Sequence, residues 1–138
     1  MPIGRRPVLT ASGGSLMFPN ATASGAVRAG AAVAIVDIAG SPRIVECSAS
    51  SNGESFQGFA VAAVADGDPV SILTVRGSQI APVVSGGGPL TPGSLVFLSS
   101  SVGEVSQTSP ASGLVLRVGQ AVTATTMILN TDSRVLRP

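Results

Sequence analysis

Histidine, lysine, tryptophan and tyrosine are absent from this 138-residue sequence, and cysteine occurs once. Each gap excludes a class of chemistry. A lone Cys47 leaves no disulfide framework within the chain. Without histidine there is no His/Cys metal set, and no imidazole base to turn Cys47 into a nucleophilic thiolate. Cys47 stands in "RIVECS", which reads as a strand, so it is expected to be a small buried apolar residue. Charge is scarce as well. Charged residues make up 11% of the sequence, against about 25% in ordinary soluble domains, and the net charge is +1. The seven acidic residues are spread out, and only Asp66 and Asp68, in "ADGDP", come close together. That pair lacks the ligand spacing of a calcium loop and reads as a solvated turn. No catalytic, cofactor-binding or metal-binding residue is expected, and the chain is not expected to be an enzyme.

The eight basic residues are all arginine, which has two readings. Genomic base composition can cause it, and arginine also suits interfaces, where its planar fork pairs bidentately. The arginines are scattered, with Arg5 and Arg6 the one adjacent pair. Nothing tracks a phosphate backbone, and without Trp or Tyr the stacking platforms are thin, so nucleic acid is not an expected partner. The most apolar stretch, "GFAVAAVADGDPVSIL", is broken by two aspartates and a proline well short of the ~20 residues of a membrane span. The start of the sequence has no apolar h-region. No membrane step is expected. A weakly charged surface rich in Ser, Thr, Gly and Ala is tolerable where much of it is covered by neighbours, which points to assembly.

Residues 1–25 are punctuated by Pro2, Pro7, Pro19, Gly4, Gly13, Gly14 and Gly25. Gly and Pro disfavour helix interiors, so this segment is expected to be an extended N-terminal arm, either disordered or ordered along a partner, and the apolar "LMF" at 16–18 favours the second. Its anchors would be Arg5, Arg6, Leu16, Met17 and Phe18. Residues 26–138 read as an all-β domain. Short runs rich in Val, Ile and Thr alternate with turn signals every 8–12 residues, the rhythm of a barrel or sandwich. Expected strands cover 33–37, 43–48, 58–64, 70–76, 79–83, 94–99, 104–108, 114–124 and 126–130. "DGDP" and "VRGS" are good turns.

One pattern is written twice. "GAAVAIVDIAG" from Gly30 and "GSLVFLSSSVG" from Gly93 align Val33 with Val96, Ile35 with Leu98 and Gly40 with Gly103. Further on, "GFAVAA" from Gly58 matches "GQAVTA" from Gly119, and an apolar strand follows each. This predicts two similar β-units, half-repeats 30–83 and 93–131, joined by a linker at 84–92. The linker, "VVSGGGPLTPG" with its flanks, is no phosphate loop, since no lysine follows its glycines.

The second half carries a family resemblance. "PGSLVFL" (92–98), "GEVS" (103–106) and "VGQA" (118–121) resemble, in order and spacing, the closing strands of tailed-bacteriophage capsid decoration, or cement, proteins. "GFAVAAVADGDPVSILTVRG" resembles the central block of the same group, so the likeness spans roughly residues 25–130. It implies a small β-barrel or β-tulip-like domain on the outer surface of the phage head. It also implies a homotrimer whose arm and barrel bridge subunits of the major capsid protein. The sequence departs in its long arm and few charges. Two alternatives stay open at this level: a fibre, tail or adhesin-type β-domain binding a host surface, and a small-ligand or enzyme-accessory barrel.

Overall fold

The computed structural model of the chain describes residues 15–110, 113–131 and 135–137, and these are nearly all β, with a closed five-stranded barrel and a second sheet. In chain order the strands are β1 (Ser15–Ala23), β2 (Ala32–Ile38), β3 (Ser41–Glu46), β4 (Phe56–Ala60), β5 (Pro69–Leu73), β6 (Gln79–Ile80), β7 (Leu95–Leu98), β8 (Val105–Ser106), β9 (Gly113–Val115), β10 (Arg117–Ala121), β11 (Met127–Leu129) and β12 (Val135–Arg137). Two short 3-10 turns, Gly53–Ser55 and Ser85–Gly87, interrupt the connections.

The first unit is the closed barrel, in the order β1-β3-β2-β4-β5. β1 closes it by pairing antiparallel with β5 through Leu16↔Ile72 and parallel with β3 through Ala23↔Ile44. Alternation along each strand sends Ala23, Val33, Ile44, Ala60 and Ile72 to one buried cluster. Two of these five are alanines, which suits the narrow interior of a barrel with so few strands. The second unit is a five-stranded sheet in the order β6-β11-β10-β7-β8, and β9 pairs with β12 in a separate two-stranded sheet.

Strand for strand, the two units share one topology. β2 pairs with β3 and β4, and β4 with β5; likewise β7 pairs with β8 and β10, and β10 with β11. The registers agree as well. Val33↔Gly58 matches Val96↔Gly119, Ile35↔Ile44 matches Leu98↔Val105, and Ala60↔Ile72 matches Ala121↔Met127. The parallel contact that closes the first barrel, Ala23↔Ile44, has a counterpart in the isolated parallel bridge Val84↔Val105. Even single bonds repeat: Gly30 N–H donates to Ala60 O at 2.8 Å, and Gly93 N–H to Ala121 O at 2.8 Å.

The units are not related face to face. The β7–β8 hairpin of the second is inserted into the open end of β2 and β3 in the first. Cys47 N–H donates to Ala32 O at 2.9 Å, but the return bond is routed through the hairpin: Ala32 N–H donates to Gly103 O at 3.0 Å, and Gly103 N–H donates to Cys47 O at 2.7 Å, so one glycine residue bridges the ends of the two strands. Ala49 N–H donates to Ser99 O at 2.7 Å beside it. An apolar cluster runs through the joint, with Ala32, Ala34, Cys47, Phe56 and Phe59 from the first unit against Val96, Leu98, Leu114, Leu116 and Leu129 from the second. Phe56 and Phe59 meet edge to face, with ring centroids 5.4 Å apart.

Three expectations about boundaries change. The expected arm ends earlier, because Ser15–Ala23 is barrel strand β1. Pro19 is compatible with this since it falls in the irregular stretch between Met17 and Thr22, where the β1–β5 register shifts and no ladder N–H is required of it. The expected strand at 79–83, assigned to the first half-repeat, is instead the edge strand β6 of the second sheet. The paired strands of the units therefore span 15–73 and 79–129. Finally, the expected strand at 114–124 is two strands, β9 and β10. The turns at "DGDP" and "VRGS" form as expected, with Gly67 and Gly77 at φ +90°.

Candidate interface and the joint between the units

Of the expected partner-binding residues, Arg5 and Arg6 lie outside the described residues. Leu16, Met17 and Phe18 lie in β1, where Leu16 pairs with Ile72 and Met17 with Ser71. Their backbone belongs to the barrel wall rather than to a separate arm.

The charged residues that the structure does gather are ones the sequence leaves scattered. Arg28, on the chain between β1 and β2, donates its main-chain N–H to Glu46 Oε2 at 2.8 Å. Its Nη2 donates to Glu46 Oε1 at 2.8 Å and to the carbonyl oxygen of Val102 at 2.8 Å. Nη1 reaches Glu104 Oε2 at 3.3 Å. One guanidinium thus ties the end of β3 in the first unit to the β7–β8 hairpin of the second. Hydrogen bonding to Glu46 raises the Arg28 pKa above its ordinary value, with the nearby carboxylate charges acting the same way against the cost of burial. Gly103 passes directly beneath this cluster. A Cβ there would overlap Glu46 Oε1 and crowd Arg28 Nη2, so the peptide can enter because it carries no side chain.

The second unit holds the same device in uncharged form. Thr91 N–H donates to Gln107 Oε1 at 2.7 Å, and Gln107 Nε2 donates back to Thr91 O at 2.9 Å. Thr91 and Gln107 occupy the places of Arg28 and Glu46. At this end no further hairpin is seated among the described residues. Gly93, Ser94, Leu95 and Thr108 are exposed there, whereas their counterparts Gly30, Ala31, Ala32 and Cys47 are buried.

Cys47 lies wholly inside the joint. Burial, helped by the charge of Glu46, pushes its thiol up to about 12, so it stays protonated at neutral pH and packs as an apolar group. Asp66, in the turn expected to be solvated, accepts the Gly25 N–H at 2.8 Å and an Arg43 Nη2 contact at 3.4 Å. It holds the β4–β5 connection against β1 and β3. Among the described residues, no group of three or more His, Cys, Asp or Glu side chains is placed to hold a metal ion. An open groove of about 430 Å³ lies along the linker, between Pro82, Val84, Gly88 and Pro89 on one side and Ala124 and Thr125 on the other. No convergent charged group lines it. No helix among the described residues is long and apolar enough to cross a membrane.

No family model matches the sequence, and no curated protein matches it.

Sequence reasoning overlooked Arg28, Glu46, Val102, Gly103 and Glu104 as a group. A signal was present: in a chain with 11% charge, each ionised side chain kept near a turn glycine is a candidate clamp. Nothing in the spacing, however, joins Arg28 to Glu104 across 76 positions.

Proposed function

We propose that this protein is a structural virion component, a cement protein on the outer surface of a phage head, where it bridges major capsid protein subunits and stabilises the shell. The observation that carries the reading is the run of cement-like strand motifs at 92–98, 103–106 and 118–121. The fold class implied by that resemblance, a small all-β domain with a barrel, agrees with the architecture described above. Supporting it is a surface made for contact rather than for charge repulsion: few ionised groups, and exposed large apolar side chains at Ile38, Val61, Val75, Leu95, Val102 and Val122. Val61 and Val122 occupy equivalent positions in the two units, so the repeat displays the same apolar side chain twice.

The mechanism of such a protein is linkage. A ligand that binds the assembled shell and not its dispersed subunits shifts the equilibrium towards the shell, and many copies multiply the effect. The resemblance implies that the N-terminal segment, with Arg5 and Arg6, contacts neighbouring shell subunits and that the bound form is a homotrimer.

The test uses purified expanded heads that lack this protein. Adding the full chain should give saturable binding at about hundreds of copies per particle and raise the temperature at which heads release DNA. Deletion of residues 1–14, which leaves β1 intact, should weaken binding without unfolding the barrel. Absence of binding, or only a handful of copies per particle with retained attachment to host cells, overturns the reading, the latter in favour of a tail or fibre component.

A further inference from the structure

The two units of this chain are joined by a heterologous contact. The first offers an open strand end, and the second fills it with a hairpin. A contact of that kind uses two different surfaces, so every copy of the unit carries both, and a pair of units necessarily leaves one of each unused. Both unused surfaces are visible. The free hairpin is the β2–β3 turn of the first unit. It exposes residues 37–42, with Ile38 at 41% exposure beside its tip and Gly40, in the tip, meeting nothing within 4 Å of a Cβ position. Its counterpart in the joint, Gly103, is buried and crowded. The free strand end is that of the second unit, where Leu95 is 40% exposed while Ala32, in the same place in the first unit, is fully buried by the inserted hairpin.

We propose that a second copy of this chain continues the series: the hairpin 37–42 of one molecule docks on the open end of β7 and β8 of another, around Leu95, Thr108, Thr91 and Gln107. The joint inside the chain is the template for the joint between chains. The residue changes fit a contact made between molecules. Arg28 and Glu46 are replaced at the open end by Thr91 and Gln107, so no charged group there is left unpaired while the molecule is alone. The main-chain N–H of Leu95, in the place where Ala32 N–H donates to Gly103 O, would meet the carbonyl oxygen of Gly40, the counterpart of Gly103 on the incoming hairpin. The sparse charge of the sequence permits such self-association, since copies repel one another little. The inference is independent of the capsid reading and requires no other partner. Because the contact is heterologous, its products are closed rings or open chains, never a dimer that stops at two by two-fold symmetry.

The experiment uses the full chain with one added thiol at a time, I38C in one preparation and L95C in an isotope-labelled second, and a short bismaleimide linker. The buried Cys47 of the unsubstituted chain provides the blank. The proposal expects linked pairs that contain one molecule of each kind, about tenfold or more over pairs of like molecules. In parallel, sedimentation of the unsubstituted chain should show a mass that grows with concentration. L95D, a surface change checked for folding by circular dichroism, should weaken the association about tenfold or more. A single-chain mass at every concentration up to the millimolar range overturns the proposal. So does linking of I38C to I38C, or of L95C to L95C, as efficiently as the mixed pair. Failure of head binding with self-association intact would overturn the capsid reading alone.

Discussion

The Arg28 guanidinium of the first unit donates a hydrogen bond to the carbonyl oxygen of Val102 in the second at 2.8 Å, while the same side chain pairs with Glu46 and Glu104. A side chain that binds a carbonyl and two carboxylates holds a geometry as well as a charge. The energies differ among the partners. Arg28 is 46% exposed, so its ion pairs are screened, and Arg28→Ala should cost about 1 kcal/mol. Glu46 is 12% exposed and also accepts the Arg28 main-chain N–H, so Glu46→Ala strands a donor and should cost about 2 kcal/mol. Chemical denaturation of both variants measures the difference. Equal losses would mean that the main-chain bond contributes nothing.

The glycines of the hairpins give a sharper test of the joint. Gly103 and Gly40 close equivalent hairpins with φ of +78° and +86°, so either replaced by alanine should lose about 1–2 kcal/mol from the left-handed backbone alone. Gly103 carries a second cost. Its Cβ would overlap the Glu46 carboxylate and the Arg28 guanidinium, whereas that of Gly40 meets open space. The carboxylate and the guanidinium are side-chain ends that can move aside at the expense of the clamp, so Gly103→Ala should be worse than Gly40→Ala by about 1 kcal/mol, the worth of the screened ion pairs that it displaces. It should also split unfolding into two transitions, read by calorimetry, because the damage falls on the contact between units rather than within either one. A single transition with the same loss in both variants would show that the hairpin insertion does not couple the units.

Much of the architecture was legible because the repeat is carried by residues whose roles are local. Val33 and Val96, Gly58 and Gly119, and Ala60 and Ala121 align in the sequence since each position asks for the same size on the same strand. Their registers in the two sheets agree with that alignment. β1 was hidden because Pro19 reads as an interruption, and the bulge that accommodates it is visible only once Met17 and Thr22 are both seen paired to β5. The ownership of β6 was hidden for another reason. Ile80 pairs with Met127, a partner distant in the sequence, and the "VRGS" turn between β5 and β6 reads the same whether the chain folds back or changes sheet. The Arg28 clamp was the least legible feature, as its partners come from β3 and from a hairpin of the other unit and meet only when Gly103 is inserted.

Equivalence inside the units predicts paired losses. A Cβ on Gly58 would overlap Leu73 O, and one on Gly119 would overlap Ile128 O, carbonyls in equivalent places on β5 and β11. Neither collision involves a side chain that can swing away, so the backbone of a neighbouring strand must shift. Gly58→Ala and Gly119→Ala should each destabilise by about 2–4 kcal/mol, at the high end of single substitutions. The expected result in urea titration is two midpoints displaced to a similar extent. A large loss for one and none for the other would show that the shared register does not impose a shared packing demand.

The pH dependence of stability should report a single group. The sequence has no histidine, lysine or tyrosine, and an α-amino group titrates near pH 8, so from about pH 9 to 12 Cys47 is the one side chain with an acid-base transition to contribute. In the folded protein burial and the neighbouring Glu46 charge push its thiol up to about 12. In the unfolded chain the ordinary thiol value is about 8.5–9. Between these values the unfolded state has lost the proton and the folded state retains it, so the folded state binds more protons and stability falls as pH rises. Stability should be level from about pH 6 to 8 and then decline by about 1.4 kcal/mol per unit, reaching about 4 kcal/mol near pH 12. Cys47→Ala should lose about 1 kcal/mol at neutral pH from the missing sulfur in a packed joint, and in exchange lose the slope. Urea midpoints measured at intervals across this range, for both proteins, decide the matter. An undiminished slope in the alanine variant would show that the alkaline loss has another source than the thiol held between the two units.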